Sequence, residues 1–151
     1  MRVSARIDYA VRALVELDGS TRAEPRKLHD LAAAQQIPVS FLADILAMLR
    51  HAGLVSSQRG ADGGYWLAKP PVDIRLAAVI AAVDGPFMEV AEAAPGGPLP
   101  AGAVALGRVW DAMRELARLV TIAEVASGEL PWPVLALARA DERAGATHNP
   151  L

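Results

Sequence analysis

The chain has 151 residues, no cysteine and a formal net charge of −2 at pH 7. That length supports one domain, or one small domain with an appendage. The lack of cysteine removes disulfides, thiolate nucleophiles and every cysteine-held metal or iron–sulfur centre. No apolar run is long enough for a membrane span, and the N-terminus has no apolar signal core, so a cytoplasmic location and no membrane partner are expected. Residues 1–70 hold nine Arg/Lys against seven Asp/Glu, a net of +2, and residues 71–151 hold six against ten, a net of −4. So small an excess leaves any polyanion argument to the local placement of cations.

Residues 4–17 are predicted to be a helix, with Ile7, Ala10, Val11, Leu14 and Leu17 on one face. Asp18-Gly19-Ser20 breaks it, and a polar loop runs through Glu24-Pro25. Residues 26–36 read as a second, shorter helix with Leu28, Leu31 and Ala32 inward. Ile37-Pro38-Val39-Ser40 is the turn into a third, where Phe41, Leu42, Ile45, Leu46 and Leu49 make the stripe of one buried face. Pro38 has no backbone N–H to lose and suits a helix entry. Two helices joined by so short a turn make a helix-turn-helix. Gly53 follows the last periodic residue, where helices commonly end in a left-handed conformation. The β-prone residues 54–59 and 65–69 then flank Gly60-Ala61-Asp62-Gly63-Gly64, giving a hairpin with Arg59 at its tip. This is the outline of a winged helix on DNA.

Pro70-Pro71 separates the wing from Asp73-Ile74-Arg75-Leu76, and residues 76–83 form another short helix ended by Asp84-Gly85-Pro86. Residues 89–102 read as a loop, with three prolines and two glycines in residues 94–100. The longest helix runs from 101 or 104 to 121, its apolar residues recurring every three or four positions. Thr121-Ile122-Ala123-Glu124 fits a capping box, so a short helix is predicted after it. Leu130-Pro131-Trp132-Pro133 reads as extended or turn-like, residues 134–143 as one more helix, and 144–151 as a mobile tail. The expected architecture is mainly α with a small β-hairpin wing. A winged helix-turn-helix domain occupies 1–86, a loop 87–103, a dimerisation helix and C-terminal helices 104–143, and the tail 144–151.

Arg59 suits the minor groove, where narrow A·T-rich tracts concentrate negative potential. Gly60, Gly63 and Gly64 would let the backbone turn tightly and come close to phosphates. Taken alone, a glycine-rich hairpin is as often merely a turn; the upstream helix-turn-helix favours the functional reading. In the third helix Ser40 is a candidate phosphate or base contact, because helix N-termini attract anions. Ala43 is a candidate for a thymine methyl and Asp44 for cytosine N4. Arg50 and His51 lie at the far end and reach backbone. Arg2, Arg6, Arg26 and Lys27 are further phosphate candidates, Lys27 the best placed. Pro38, Phe41, Ser57 and Tyr65 complete the DNA-facing set, Phe41 being at once a member of the buried stripe.

On the long helix, Leu106, Val109, Trp110, Met113, Leu116, Ala117 and Val120 form a stripe that needs a cover, and reads as a homodimer interface. Such a dimer would bind a palindrome with half-sites in successive major grooves. The bland alternative folds this helix back on its own domain. His29, His51 and His148 lie far apart and mark no metal site. No Ser-His-Asp, paired-carboxylate or phosphate-loop pattern marks an enzyme, and no cofactor is expected.

Three stretches resemble one family. They are Arg6-x-Asp8-Tyr9-Ala10-Val11-Arg12-Ala13-Leu14, then Gly53-Leu54-Val55-x-Ser57-x-Arg59-Gly60-x-x-Gly63-Gly64-Tyr65-x-Leu67, then Ile74-x-Leu76 with Val79-Ile80 up to Asp84-Gly85-Pro86. The chain is similar through them, over roughly residues 1–125, to the Rrf-two family of bacterial winged-helix transcription regulators, which includes the IscR and NsrR types. Trp110 and Thr121-Ile122-Ala123-Glu124 sit where that family has its long dimerisation helix and the short element after it. The resemblance implies a homodimeric regulator of double-stranded DNA. Cluster-sensing members place three cysteines in the region matching residues 87–106, where this chain has Met88-Glu89-Val90-Ala91-Glu92-Ala93 and a Pro/Gly loop. A cluster-free repressor answering to another signal, such as a small-molecule effector, is therefore expected. Some members use an acidic residue at the position of Ala43 for sequence discrimination, so their operator does not carry over. Two rivals are a winged-helix protein–protein module that binds no DNA and a redox protein with non-cysteine ligands.

Overall fold

Leu14, Leu31, Leu42, Ile45, Leu46 and Leu49 form the centre of one core, all within 1 % of complete burial. They do so in a computed structural model that describes residues 4–85 and 101–137. Helix α1 (Ala5–Glu16) starts where the Ser4 hydroxyl accepts from the Arg6 N–H at 3.3 Å, satisfying one orphan donor of the first turn. It buries Ala10, Ala13 and Leu14, with Leu17 just beyond its end, and the two alanines let it lie close against its neighbours.

Helix α2 (Leu28–Gln35) begins two residues later than the pattern predicts. Arg26 is held instead in an antiparallel bridge to Tyr65, their backbone N–H groups exchanging bonds of 2.9 and 2.8 Å. Gln36 takes a left-handed conformation at φ +53, and α3 (Val39–His51) follows with Pro38 as its N-cap. The two axes turn through 113°, as in a helix-turn-helix. Phe41 departs from the expected stripe: it is 52 % exposed. At about 100° per residue the buried arc centres on Leu42, Ile45, Leu46 and Leu49, and Phe41 falls outside it, on the open side of the first turn.

The hairpin pairs β1 (Val55–Gln58) with β2 (Gly64–Leu67) in the register Val55↔Leu67, Ser56↔Trp66, Ser57↔Tyr65 and Gln58↔Gly64. Side chains alternate across a strand, so Val55, Leu67, Ser57 and Tyr65 share one face. A 3-10 turn (Pro71–Asp73) leads to α4 (Leu76–Asp84), which buries Val79, Ile80 and Val83.

Helix α5 (Ala101–Leu119) is the longest, and it includes residues 101–103, expected to belong to the preceding loop. The proline run ends at Pro100, and nothing in Ala101-Gly102-Ala103 forbids a helix. Helix α6 (Ile122–Ser127) opens with the predicted capping box. The Thr121 hydroxyl accepts from the Glu124 N–H at 3.2 Å while the Glu124 carboxylate accepts from the Thr121 N–H at 2.7 Å. Backbone bonds from Leu76 to Val120 and from Ile122 to Ile74, each 2.9 Å, tie this corner to the start of α4. Residues 132–137 are helical, so Trp132 and Pro133 belong to a helix rather than an extended turn. A proline in the first turn loses no hydrogen bond.

No single helix among the described residues is long and apolar enough to cross a membrane. The expected loop at 87–100, the helix extension at 138–143, the tail at 144–151, Arg2 and His148 lie outside the described residues.

Candidate nucleic-acid interface

The C-terminal end of α3 is tied to the wing by Arg50, whose guanidinium donates to the Ser57 hydroxyl at 3.3 Å. Beside that contact an open concavity of about 640 Å³ runs between the start of α2 and the hairpin. It gathers eight of the sequence-predicted residues: Lys27, Arg50, Ser57, Arg59, Gly60, Gly63, Gly64 and Tyr65. Leu28, Gln58 and Ala61, which the motifs did not single out, also line it, and no carboxylate among the described residues does. Lys27, Arg50 and Arg59 enter no ion pair among the described residues. Three converging cations without an internal counter-ion repel one another, and an external anion relieves that repulsion.

Two neighbouring cations are engaged within the chain. Arg12 pairs with Asp8 at 3.2 Å, donates to the Gln35 carbonyl and lies 5.7 Å above the Tyr9 ring. Arg26, expected as a phosphate contact, is paired with Glu16, whose other carboxylate oxygen accepts from Gln35 at 2.8 Å. Arg6 is exposed on α1 and lines no part of the concavity.

The glycines divide by task. Gly60 makes the turn at φ +108. Gly63 and Gly64 are buried: a Cβ on Gly63 would overlap the Gln58 carbonyl, and one on Gly64 would lie 2.6 Å from the Arg26 carbonyl oxygen. Their missing side chains let the chain approach itself.

Pro38, Ser40, Phe41 and Asp44 are exposed on the first turns of α3, with Ala43 half-buried. From Ser40 to Arg50 is about 15 Å along a helix axis, so these residues form a second patch at the other end of α3. The sequence reasoning also passed over Arg22. It lines a neighbouring concavity of about 590 Å³ with Arg50, Ser56, Gln58 and Trp66, and lies in a loop without periodic signal.

Of the long-helix stripe, Leu106 and Val109 are 51 % and 52 % exposed, while Trp110, Met113 and Leu116 are half-buried. Ala117 and Val120 are already buried within the chain, Val120 lying just past the end of α5. The stripe therefore turns inward at its C-terminal end. There Leu76, Met113, Leu116, Val134 and Leu137 line an apolar groove of about 260 Å³.

Residues 3–127 match the Rrf2 (Rrf-two) family, described as iron-dependent transcriptional regulators. The chain is 46 % identical over 143 residues to the HTH-type transcriptional regulator Rv1287 of Mycobacterium tuberculosis, covering 91 % of this chain and 89 % of that protein. It is 40 % identical over 84 residues to the HTH-type transcriptional regulator IscR of Escherichia coli, over 56 % of this chain and 52 % of the other. The solved structure of CymR, the global cysteine regulator of B. subtilis, superposes with a TM-score of 0.70 at 30 % identity. That match covers 84 % of this chain and 97 % of CymR.

The donor set does not fit the iron of the family description. The chain has no cysteine, and no three of its described His, Asp and Glu side chains gather closely enough to hold a metal. The match over most of the chain, the shared fold and the cation-lined wing agree: this protein belongs to the Rrf2 family of DNA-binding helix-turn-helix transcriptional regulators, and is not an enzyme.

Proposed function

We propose that the protein is a homodimeric repressor of a palindromic operator, relieved by a signal other than an iron–sulfur cluster. The first turns of α3 enter the major groove with Ser40, Phe41, Ala43 and Asp44 toward base edges. Arg59 enters the adjacent minor groove, and Lys27 and Arg50 take phosphates on its border. The observation that carries this is the meeting of Lys27, Arg50 and Arg59 in one concavity that no carboxylate among the described residues lines. The exposed Leu106 and Val109 on α5 are the surface a second copy covers, and a two-fold pair presents two wings to one duplex.

The effector is an apolar small molecule in the groove between α4, α5 and residues 132–137. A ligand there acts by preferring one arrangement of the dimerisation helix against the DNA-binding unit, which changes the half-site spacing. Operator affinity that no apolar metabolite alters counts against this part.

The test of DNA recognition is selection of bound duplexes from a random pool at physiological salt, with Arg59→Ala in parallel. Recovery of a palindrome that the variant binds at least about tenfold more weakly supports the reading. A protein that enriches no sequence, and in which Arg59→Ala leaves binding to another protein intact, is instead a protein–protein module.

A further inference from the structure

At the wing tip Gln58 ends β1 beside Arg59 and is exposed. Its cross-strand neighbour is Gly64, so no side chain stands opposite it. Among the described residues its amide enters no hydrogen bond, whereas Ser57 is engaged by Arg50. The backbone beneath it is fixed from two sides: Gly63 packs against the Gln58 carbonyl, and the Gly63 N–H donates to the Gly60 carbonyl at 3.1 Å. The amide is thus unpaired among the described residues while the backbone that carries it is held in place.

The chemistry of the groove distinguishes this side chain from its neighbour. Every base pair shows acceptors on the minor-groove floor, and only G·C adds a donor, the guanine N2 amine. Arg59 can only donate, so it favours A·T and leaves that amine unpaired. An amide both donates and accepts. Asp62, also exposed at the tip, can accept as well, but its negative charge is repelled by the two phosphate strands bordering the groove.

We infer that Gln58 is the specificity-determining residue of the wing, its amide oxygen accepting from the N2 amine of a guanine next to the Arg59 position in each half-site. This rests on the DNA-binding reading above. The test replaces guanine by inosine, one position at a time, across the selected operator. The exchange removes the N2 amine and leaves the major-groove edge unchanged. Wild type should lose about fivefold in affinity, as for one hydrogen bond, at one symmetric pair of positions in the minor-groove segment. Gln58→Leu should bind the guanine and inosine operators equally there, with an unchanged dependence on salt. Wild-type binding without such a position, or a loss that Gln58→Leu shares, overturns the inference and leaves the regulator reading standing. A wild type that binds no duplex overturns the regulator reading itself.

Discussion

Lys27→Gln removes one cation from the wing concavity and leaves the fold alone. Lys27 is exposed, caps α2 through its backbone with no side-chain bond, and enters no ion pair among the described residues. Each phosphate neutralised on B-DNA adds about 0.9 to the slope of log affinity against log salt. With Lys27 and Arg50 each taking one phosphate and Arg59 displacing about one counterion from the minor groove in both protomers of a dimer, six cationic contacts give a slope of about −5, or about 10³-fold between 50 and 200 mM salt. The variant loses two of them, so its slope should be shallower by about 1.8. Over the same salt range wild type should therefore weaken about 12-fold more than the variant. Fluorescence anisotropy on the selected operator at five salt concentrations measures both slopes. Parallel lines, with the variant displaced equally at every salt, would refute the assignment of Lys27 to a phosphate and reduce it to a solvated side chain.

Gly64→Ala drives a methyl toward the Arg26 carbonyl oxygen, 2.6 Å from the new Cβ, and should destabilise by about 1–3 kcal/mol as overpacking does; urea unfolding measures this. Thr121→Ala removes the side-chain half of the α6 capping box and should cost about 1 kcal/mol, read by the same method. Glu124 is held below its ordinary pKa of 4.5, first by accepting from the Thr121 N–H, then from the Thr121 hydroxyl, with Arg75 adding attraction. Its folded value lies below the unfolded one. Its stabilising contribution is therefore full above about 4.5 and lost as the pH falls through the lowered value. A thermal-melt series in acid should show that loss in wild type and less of it in Thr121→Ala. Val109→Asp places a charge on the exposed face of α5 and should halve the sedimenting mass with the helical spectrum unchanged. A variant that still sediments as a dimer would place the interface elsewhere.

The parts of the fold that sequence patterning revealed are those whose stabilisation is local or periodic. Leu42, Ile45, Leu46 and Leu49 repeat at helical spacing and are buried together. Thr121 and Glu124 stand at the spacing a capping box requires and form one. The hairpin was readable because two β-prone runs bracket glycines, and its register follows from its short turn. The start of α2 was not readable. Nothing around Arg26 announces an extended residue, because the bridge that holds it is made by Tyr65, 39 positions away. Phe41 misled for a different reason: it adjoins the stripe in sequence, but at about 100° per residue it falls outside the arc that Leu42, Ile45, Leu46 and Leu49 bury.

The same distinction governs the site. Arg26 and Lys27 are adjacent cations that composition treats alike, and both were candidates for phosphate. Glu16, on α1, lies ten residues before Arg26, and the fold brings its carboxylate to that guanidinium and not to Lys27. The pair anchors the bridge residue, which also lends its carbonyl to the close packing of Gly64. Lys27, one residue further on, opens into the concavity with Arg50 and Arg59. A salt bridge within the chain thus decides which cation supports the wing and which is left open in the concavity. It follows that Glu16→Gln, which releases Arg26 and leaves Lys27, Arg50 and Arg59 in the concavity, should lower stability and leave the salt slope of DNA binding nearly unchanged. A slope made steeper by that variant would mean that Arg26, once freed, reaches DNA, and that its pairing with Glu16 restrains binding.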